Sequence, residues 1–215
     1  MPFLTQQRFP LLWLWFQFLA GGTVDKRRLC VRPYGGQSNV LEVGCSVGNI
    51  APAFAALPQV QYTGLDIDAT AITTARRRFV HQARFRFICE PLTTFSKGGQ
   101  TFDYILFAAI LHHVDDATCA ELLAAAADLA RPGVTIAVVE PLLPDETDPP
   151  FVRLFIHIEQ GEYVRSDADM RRLLGSQDSV ALEKSEMHYI GATPFSVPKC
   201  ARFGVYVLKA RSGQP

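Results

Sequence analysis

The sequence predicts an α/β fold with a doubly wound, mostly parallel sheet, an antiparallel edge strand and helices on both faces. Short β-prone runs alternate with helical patterns from residue 39 to residue 139. The predicted strands are almost wholly apolar, which is typical of strands buried on both faces. The 215 residues, 48% of them hydrophobic, suffice for one domain with a sizeable core but would be cramped as two.

The middle of the chain contains the alternating elements. Its predicted strands are residues 40–43, 60–65, 85–89, 104–107 and 134–139. Its predicted helices are residues 50–56, 70–81 and 116–130. Asp115 and Asp116 are candidate caps for the last of these helices, and the Arg-Pro-Gly sequence at 131–133 is expected to end it. The segment from 89 to 100 has no clear period and is expected to be a loop.

Both ends of the chain depart from this alternation. The first 37 residues have helical spacing and are expected to form a helical lid, including a short helix at 24–31. After the fifth strand come four prolines and a mixed helical pattern, which predict an insertion. Two further strands, 180–190 and 202–209, are expected to pair antiparallel at the sheet edge. We therefore predict a single domain with four parts: 1–37, 38–140, 141–178 and 179–215.

Charge and cysteine content exclude several classes of protein. Lys+Arg and Asp+Glu each number 21, which argues against a dedicated nucleic-acid binder. The five cysteines are widely spaced without a CxxC pair, so they predict neither a disulfide framework nor a metal site. Free thiols fit a cytoplasmic protein.

An apolar run at residues 9–20 contains Trp13, Trp15, Phe16 and Phe18. It is well short of the roughly 20 residues that span a bilayer, and no small-x-small cleavage site follows it. We interpret it as a buried or lid-forming helix that could fold over a site, with membrane contact or export as the alternatives. Stable membrane insertion is not expected.

A glycine turn followed by an acid is the sharpest local signal. Residues 40–49 read as a strand that ends in a glycine-containing turn and opens a helix. Gly44 allows a tight turn and a close approach of the backbone to a ligand. Asp66 follows the next strand, where a carboxylate can accept both ribose hydroxyls of a nucleoside. The combination predicts a nucleoside cofactor site.

The residues around this turn favour one cofactor class. A dinucleotide site favours GxGxxG, whose backbone N–H groups face a pyrophosphate. Here residues 44–48 read GxSxG and are preceded by Glu42. A carboxylate at Glu42 would repel a pyrophosphate but suits a ligand with an ammonium and a sulfonium. The charges favour S-adenosylmethionine over NAD.

Four motifs in order resemble those of class I S-adenosylmethionine-dependent methyltransferases. The matching segments are the acid-x-Gly-x-Gly-x-Gly motif at 42–48, the acidic motif at 64–66, the fourth-strand motif at 101–106 running into 111–114, and the L-x-P-G-G turn at 129–133. The resemblance covers residues 38–140 and implies a Rossmann-like fold. It is nearest to the small-molecule group that includes quinone-biosynthesis methyltransferases. Ser46 and Val134 each replace a glycine of the family pattern.

The resemblance also implies the cofactor-binding residues. The turn that would cradle the methionine part comprises Gly44, Cys45, Ser46 and Gly48. Glu42 would contact its ammonium, directly or through water, and the backbone at Ala108 would line the same side. Asp66 would hold the ribose, Ile67 would lie on the adenine, and Glu90 would approach the adenine amino group.

Methyl transfer from a sulfonium needs a general base only when the acceptor must lose a proton of high pKa. The candidates are His112 and His113, after the fourth strand, and His157 in the insertion, because histidine titrates near neutral pH. We predict His113 and His157 as catalytic residues. The alternatives are that the His112–His113 pair only closes its turn and that His157 lies on a solvated helix face.

These observations predict a methyltransferase that acts on a small apolar or aromatic acceptor and is a monomer or homodimer. Two alternatives remain. One is a non-catalytic protein that binds S-adenosylmethionine in a regulatory role. The other is an NAD-dependent enzyme of similar fold, which Glu42 and the missing GxGxxG disfavour.

Overall fold

A computed structural model describes residues 22–156 and 161–211 of the chain. Its seven strands are β1 (Asn39–Val43), β2 (Gln61–Asp66), β3 (Phe85–Cys89), β4 (Phe102–Ala108), β5 (Ala130–Leu142), β6 (Val180–Gly191) and β7 (Lys199–Ala210). They form one sheet in the order β3-β2-β1-β4-β5-β7-β6. The first five strands are parallel, and β7 pairs antiparallel with both β5 and β6. The predicted fold class is confirmed.

Helices cover both faces of the sheet. They are α1 (Thr23–Val31), α2 (Ala51–Ala55), α3 (Ala69–Arg78), α4 (Leu92–Phe95), α5 (Asp116–Leu129), α6 (Pro150–Phe155) and α7 (Asp167–Gly175). The core on one face includes buried residues of α4, α5 and α7, and the core on the other includes residues of α1, α2 and α3. Parallel strands need such cover on both sides, which is why their sequences are almost continuously apolar.

Side-chain caps begin three of these helices. Asp68 accepts from the backbone N–H groups of Thr70 and Ala71 at the start of α3. Asp115 accepts from the Thr118 N–H at 2.8 Å, so Asp115 is the cap of α5 and Asp116 is the first residue of that helix. Ser166 caps α7 in the same way. Such caps satisfy N–H groups that have no partner within the helix.

Two elements differ from the sequence prediction. The expected loop at 89–100 contains α4 and a 3₁₀ turn, Ser96–Gly98, and α4 buries Leu92 and Phe95 in the core. The fifth strand runs over Ala130–Leu142 instead of 134–139. At its start Ala130 pairs with Phe102 of β4, so residues 131–133, expected as the stop of the preceding helix, lie in the strand. At its end it pairs with β7 as far as Leu142, beyond the end of β4.

Some predictions concern residues outside the described ranges. The apolar run at 9–20 with its four aromatic residues lies there, as does His157. Within residues 22–156 and 161–211, the longest apolar helices fall short of the length needed to cross a membrane. The same residues contain no group of three His, Cys, Asp or Glu arranged to hold a metal ion.

Candidate cofactor and acceptor site

The glycine turn after β1 has a backbone that few residues other than glycine adopt. Gly44, Ser46 and Gly48 have φ angles of +71°, +52° and +76°. The N–H groups of Gly44 and Cys45 both donate to the Leu65 carbonyl, at 2.8 and 3.0 Å. A Cβ atom at Gly44 would overlap the side chain of Ile110, which follows β4. Gly44 is therefore required where the turn and the segment after β4 meet.

Asp66 joins this turn to the end of β2. One of its carboxylate oxygens accepts from the Ser46 N–H at 2.7 Å, and the other accepts from the Asp68 N–H at 2.9 Å. Each oxygen of an ionised carboxylate can accept further hydrogen bonds, and the residue is partly exposed. The geometry fits the predicted role of Asp66 toward the two ribose hydroxyls.

Ile67 and Glu90 lie beside Asp66. The Ile67 residue is 75% exposed, an unusual placement for a large apolar residue. The Glu90 N–H donates to the Asp66 carbonyl at 3.1 Å, so the end of β3 stays next to the end of β2. An apolar surface and an acid are thus adjacent at the edge where the adenine is expected.

Glu42 is 2% exposed and accepts a hydrogen bond from the Tyr62 hydroxyl. Burial raises the pKa of Glu42 to about 8; the Tyr62 hydrogen bond lowers it, the charge of Asp66 raises it, and Arg27 lowers it. At pH 7 the group is therefore mostly neutral, which differs from the carboxylate assumed in the sequence argument. A nearby ammonium would favour its ionised form.

Two buried polar atoms near the turn bear on whether the site fits a polar ligand. Ser46 Oγ and Asn49 Oδ1 have no hydrogen-bond partner within the described residues. A buried polar atom without a partner costs about 1–3 kcal/mol, so natural proteins rarely keep one without a reason. Together with Asp66 and Ile67, these atoms fit a polar nucleoside ligand such as S-adenosylmethionine.

The turn after β4 is held by Glu140, at the end of the neighbouring strand. One carboxylate oxygen of Glu140 accepts from the N–H groups of Ile110 and Leu111, at 2.7 and 2.8 Å. The other accepts from the His112 N–H at 3.3 Å. Glu140 is fully buried, so these contacts fix the backbone of the Leu111–His113 3₁₀ turn.

Glu140 also contacts the His112 ring, with 2.7 Å between Glu140 Oε2 and His112 Nδ1. The Glu140 oxygens accept from three backbone N–H groups, and an acceptor at Oε2 requires a proton on Nδ1, which leaves Nε2 as the other ring nitrogen. His112 is 2% exposed, whereas His113 is exposed, with 4.0 Å between the two ring centroids.

Sequence reasoning named His112 as a candidate but did not identify Glu140. The signal for it was an acid directly after an almost wholly apolar strand, at the carboxyl edge of the sheet. The partnership itself depends on the pairing of β4 with β5, which no local motif encodes.

Arg165 connects the insertion to the same turn. Its guanidinium donates to the carbonyls of Leu111 at 2.8 Å, Val114 at 2.9 Å and Tyr163 at 3.1 Å. It also contacts an Asp116 carboxylate oxygen at 2.7 and 2.9 Å. Arg165 is 8% exposed, so it is a buried cation with several acceptors.

One protein family matches part of the chain. The profile of a family described as "Methyltransferase domain" matches residues 40–133. No curated protein sequence matches the chain.

Three solved structures share its fold. Mitomycin 7-O-methyltransferase MmcR has a TM-score of 0.68 at 17% identity over 89% of this chain and 54% of that protein. Human N-acetylserotonin methyltransferase in complex with S-adenosylmethionine has 0.64 at 19% identity over 87% and 52%. The S-adenosylmethionine-dependent methyltransferase SibL, in its apo form, has 0.66 at 20% identity over 86% and 55%. The chain spans about half the length of these three proteins. Residues 40–133 thus match a methyltransferase domain, and the fold of the chain is that of solved S-adenosylmethionine-dependent methyltransferases.

Proposed function

We propose that the protein transfers a methyl group from S-adenosylmethionine to a hydroxyl of a small apolar or aromatic molecule. The observation that carries the proposal is the buried pair of His112 and Glu140 at the carboxyl edge of β4 and β5. Ligands of open α/β sheets bind at this edge. Similarity to a protein named as a 7-O-methyltransferase supports an oxygen as the acceptor atom.

When bound, the cofactor would supply a methyl group on a sulfonium, and breaking that C–S bond leaves a neutral thioether that needs no proton. The residues of the protein position the cofactor. Asp66 is available to the ribose, and Ile67 and Glu90 to the adenine. The turn around Gly44, with Glu42 beneath it and the backbone of Ala108 beside it, is available to the methionine part. Such alignment alone contributes up to about 7–11 kcal/mol in favourable cases.

His112 is the proposed general base. Nε2 would take the proton of the acceptor hydroxyl, and the Glu140 carboxylate on Nδ1 would stabilise the imidazolium that forms, as in other histidine–carboxylate pairs. The sequence prediction assigns this role to His113 and His157. His113 is adjacent and exposed, so it is the competing base that an experiment must separate from His112.

We expect His112→Gln to lower kcat for a phenolic acceptor by about 10²- to 10⁴-fold, the usual contribution of a general base. The affinity for S-adenosylmethionine should be unchanged, because His112 has no proposed contact with it. The measurement is formation of S-adenosylhomocysteine with a panel of phenols and quinols, beside calorimetric titration with S-adenosylmethionine. His113→Gln is the matched control. Full activity of the His112 variant with a loss at His113 would assign the base to His113.

Non-catalytic binding of S-adenosylmethionine is the second candidate function. The observation that favours it is the burial of His112, which is 2% exposed and therefore presents little surface to an acceptor. Micromolar affinity for S-adenosylmethionine without turnover of any acceptor in the panel would support it. Titration with NAD in parallel tests the remaining alternative, and tight NAD binding would overturn both candidates.

A further inference from the structure

Three consecutive arginines near the end of α3 have different surroundings. Arg76 donates through Nε to a backbone carbonyl of β3 at 2.9 Å. Arg77 is exposed. Arg78 is half-buried, and its Nη1 donates to the carbonyls of Val47 and Gly48 in the glycine turn after β1. The third arginine therefore joins α3 to the backbone of the proposed cofactor site.

A second guanidinium holds the next carbonyl along the chain. Arg27 of α1 is also half-buried and donates through Nε to the Asn49 carbonyl at 2.7 Å. The carbonyls of three successive residues, 47, 48 and 49, therefore accept from cationic side chains of two helices. Hydrogen bonds with a charged donor are roughly twice as strong as neutral ones, so these contacts restrain the backbone more than ordinary turn contacts do.

The glycine turn needs such restraint because its conformation is one that the chain rarely adopts by itself. Ser46 has a φ angle of +52°, which is uncommon for a residue with a Cβ atom. At Gly48 an added Cβ would overlap the ring of Phe79, the residue after Arg78. The end of α3 therefore packs against the turn and also donates to it.

The same contacts set the direction of two peptide units. A peptide unit is planar and trans, so its C=O and N–H groups point in opposite directions. The carbonyls of Gly48 and Asn49 point at the guanidinium groups, so the N–H groups of Asn49 and Ile50 lie on the other side of the chain. Without the guanidinium groups these units can rotate, which changes the polar groups that the turn presents to a ligand.

We propose that Arg78 and Arg27 are positioning residues for the cofactor. They hold the backbone of residues 47–49 in the conformation that binds S-adenosylmethionine, without contacting the cofactor themselves. This inference rests on the proposed function for the identity of the ligand. A turn that is already ordered binds more tightly than one that must be ordered on binding, so loss of either guanidinium weakens cofactor affinity.

The test is calorimetric titration of the full chain with S-adenosylhomocysteine. We expect Arg78→Met to weaken binding by about tenfold, the effect of losing one hydrogen bond to a charged group. Arg78→Lys should recover part of the affinity, because its ammonium can still donate to a carbonyl. Arg76→Met is the matched control. It also removes a hydrogen bond from α3 to a backbone carbonyl, but outside the turn, and should bind as the wild type does.

A purely structural role of Arg78 would give a different pattern. Thermal unfolding would show a lower Tm for Arg78→Met, while the folded protein would keep its affinity, and that outcome overturns the inference. Equal losses of affinity in Arg78→Met and Arg76→Met overturn it as well. If Arg78→Met does not fold, Arg27→Met takes its place, with the same expected loss. With an acceptor that turns over, we expect a higher KM for S-adenosylmethionine and a nearly unchanged kcat.

The wild type separates this inference from the proposed function. If the wild type binds S-adenosylhomocysteine and Arg78→Met binds it equally well, the inference fails and the proposed function stands. Weaker binding by Arg78→Met without turnover of any acceptor by the wild type would support the inference and contradict the proposed function. A folded wild type that does not bind S-adenosylhomocysteine would overturn both.

Discussion

Glu42 is a buried acid whose charge depends on its surroundings. Burial is the largest cause of its pKa of about 8, and the Tyr62 hydroxyl and Arg27 only partly oppose it. In the unfolded chain the same group is ionised above its ordinary pKa of 4.5. Between these two values the folded state holds a proton that the unfolded state has lost, which links folding to pH.

We therefore expect the free energy of unfolding to fall as the pH rises from about 5 to about 8, since proton binding favours the folded state over this interval. The slope attributable to Glu42 is about 1 kcal/mol per pH unit, and it should disappear above pH 8. Urea unfolding of the ligand-free protein at several pH values measures it.

Glu42→Gln retains an oxygen for the Tyr62 hydroxyl but cannot ionise, so its stability should vary less with pH. Glu121→Gln, at an exposed position of α5, is the control and should follow the wild type. Parallel pH profiles for the wild type and the Glu42 variant would contradict the assignment.

Ser46 shows how one substitution changes a family turn without abolishing its geometry. The residue has a positive φ, which costs a non-glycine residue about 1 kcal/mol or more, and its hydroxyl is buried with no partner among the residues that the structure describes. Both features concern the binding turn and not the core. They are consistent with a site whose hydrogen bonds are completed by a ligand.

Among the secondary-structure elements, the turn after β4 is held in place by side chains from two other parts of the chain. Glu140 of β5 accepts from its N–H groups, and Arg165 of the insertion donates to its carbonyls. The turn has few hydrogen bonds of its own, so its position depends on these two charged side chains. Arg165 therefore couples the insertion to the residues proposed for catalysis.

We expect Arg165→Met to lower the free energy of unfolding by about 2–4 kcal/mol, because it leaves several buried carbonyl acceptors without donors. The exposure of Asp116 makes the ion pair a small part of this value. Arg172→Met is the control, since Arg172 forms only an exposed pair with Asp169 and should change stability by less than about 0.5 kcal/mol. Denaturant unfolding compares the two, and equal effects would contradict a special role for Arg165.

Most elements of the alternating region were predictable because their local patterns are strong. The predicted 85–89 strand and the start of the 116–130 helix match β3 and α5. Leu92–Phe95 was missed because a single helical turn is too short to show a period. The extension of β5 to Leu142 depends on pairing with β7, a contact distant in sequence, and Pro141 within it argues against a strand.

Across the whole molecule, the cofactor side and the acceptor side differ in how they are encoded. Gly44 and Asp66 lie within one strand–helix–strand unit, so a sequence motif identifies the cofactor side. The proposed acceptor side depends on residues that are 28 positions apart in sequence. Glu140 and His112 need neighbouring strands to become partners. The sequence could therefore predict the cofactor but not the geometry around the acceptor.

Cofactor binding should stabilise the whole domain, because the turn at Gly44 contacts the ends of β2 and β4. S-adenosylhomocysteine at a hundredfold excess over its Kd contributes about 2.7 kcal/mol, which raises the Tm of a chain of this size by about 5–10 °C. Differential scanning fluorimetry measures the shift. NAD at the same concentration should give none.

Asp66→Asn is the informative variant, since its amide oxygen can still accept one of the two backbone N–H groups while the charge is lost. At the S-adenosylhomocysteine concentration that saturates the wild type, the Tm shift of this variant should be less than half that of the wild type. Asp68→Asn, which changes the cap of α3, should lower the starting Tm slightly yet keep the shift. A full shift in the Asp66 variant would mean that the ribose is held elsewhere. An equal shift with NAD would return the glycine turn to the dinucleotide interpretation and would contradict the chemistry proposed for His112.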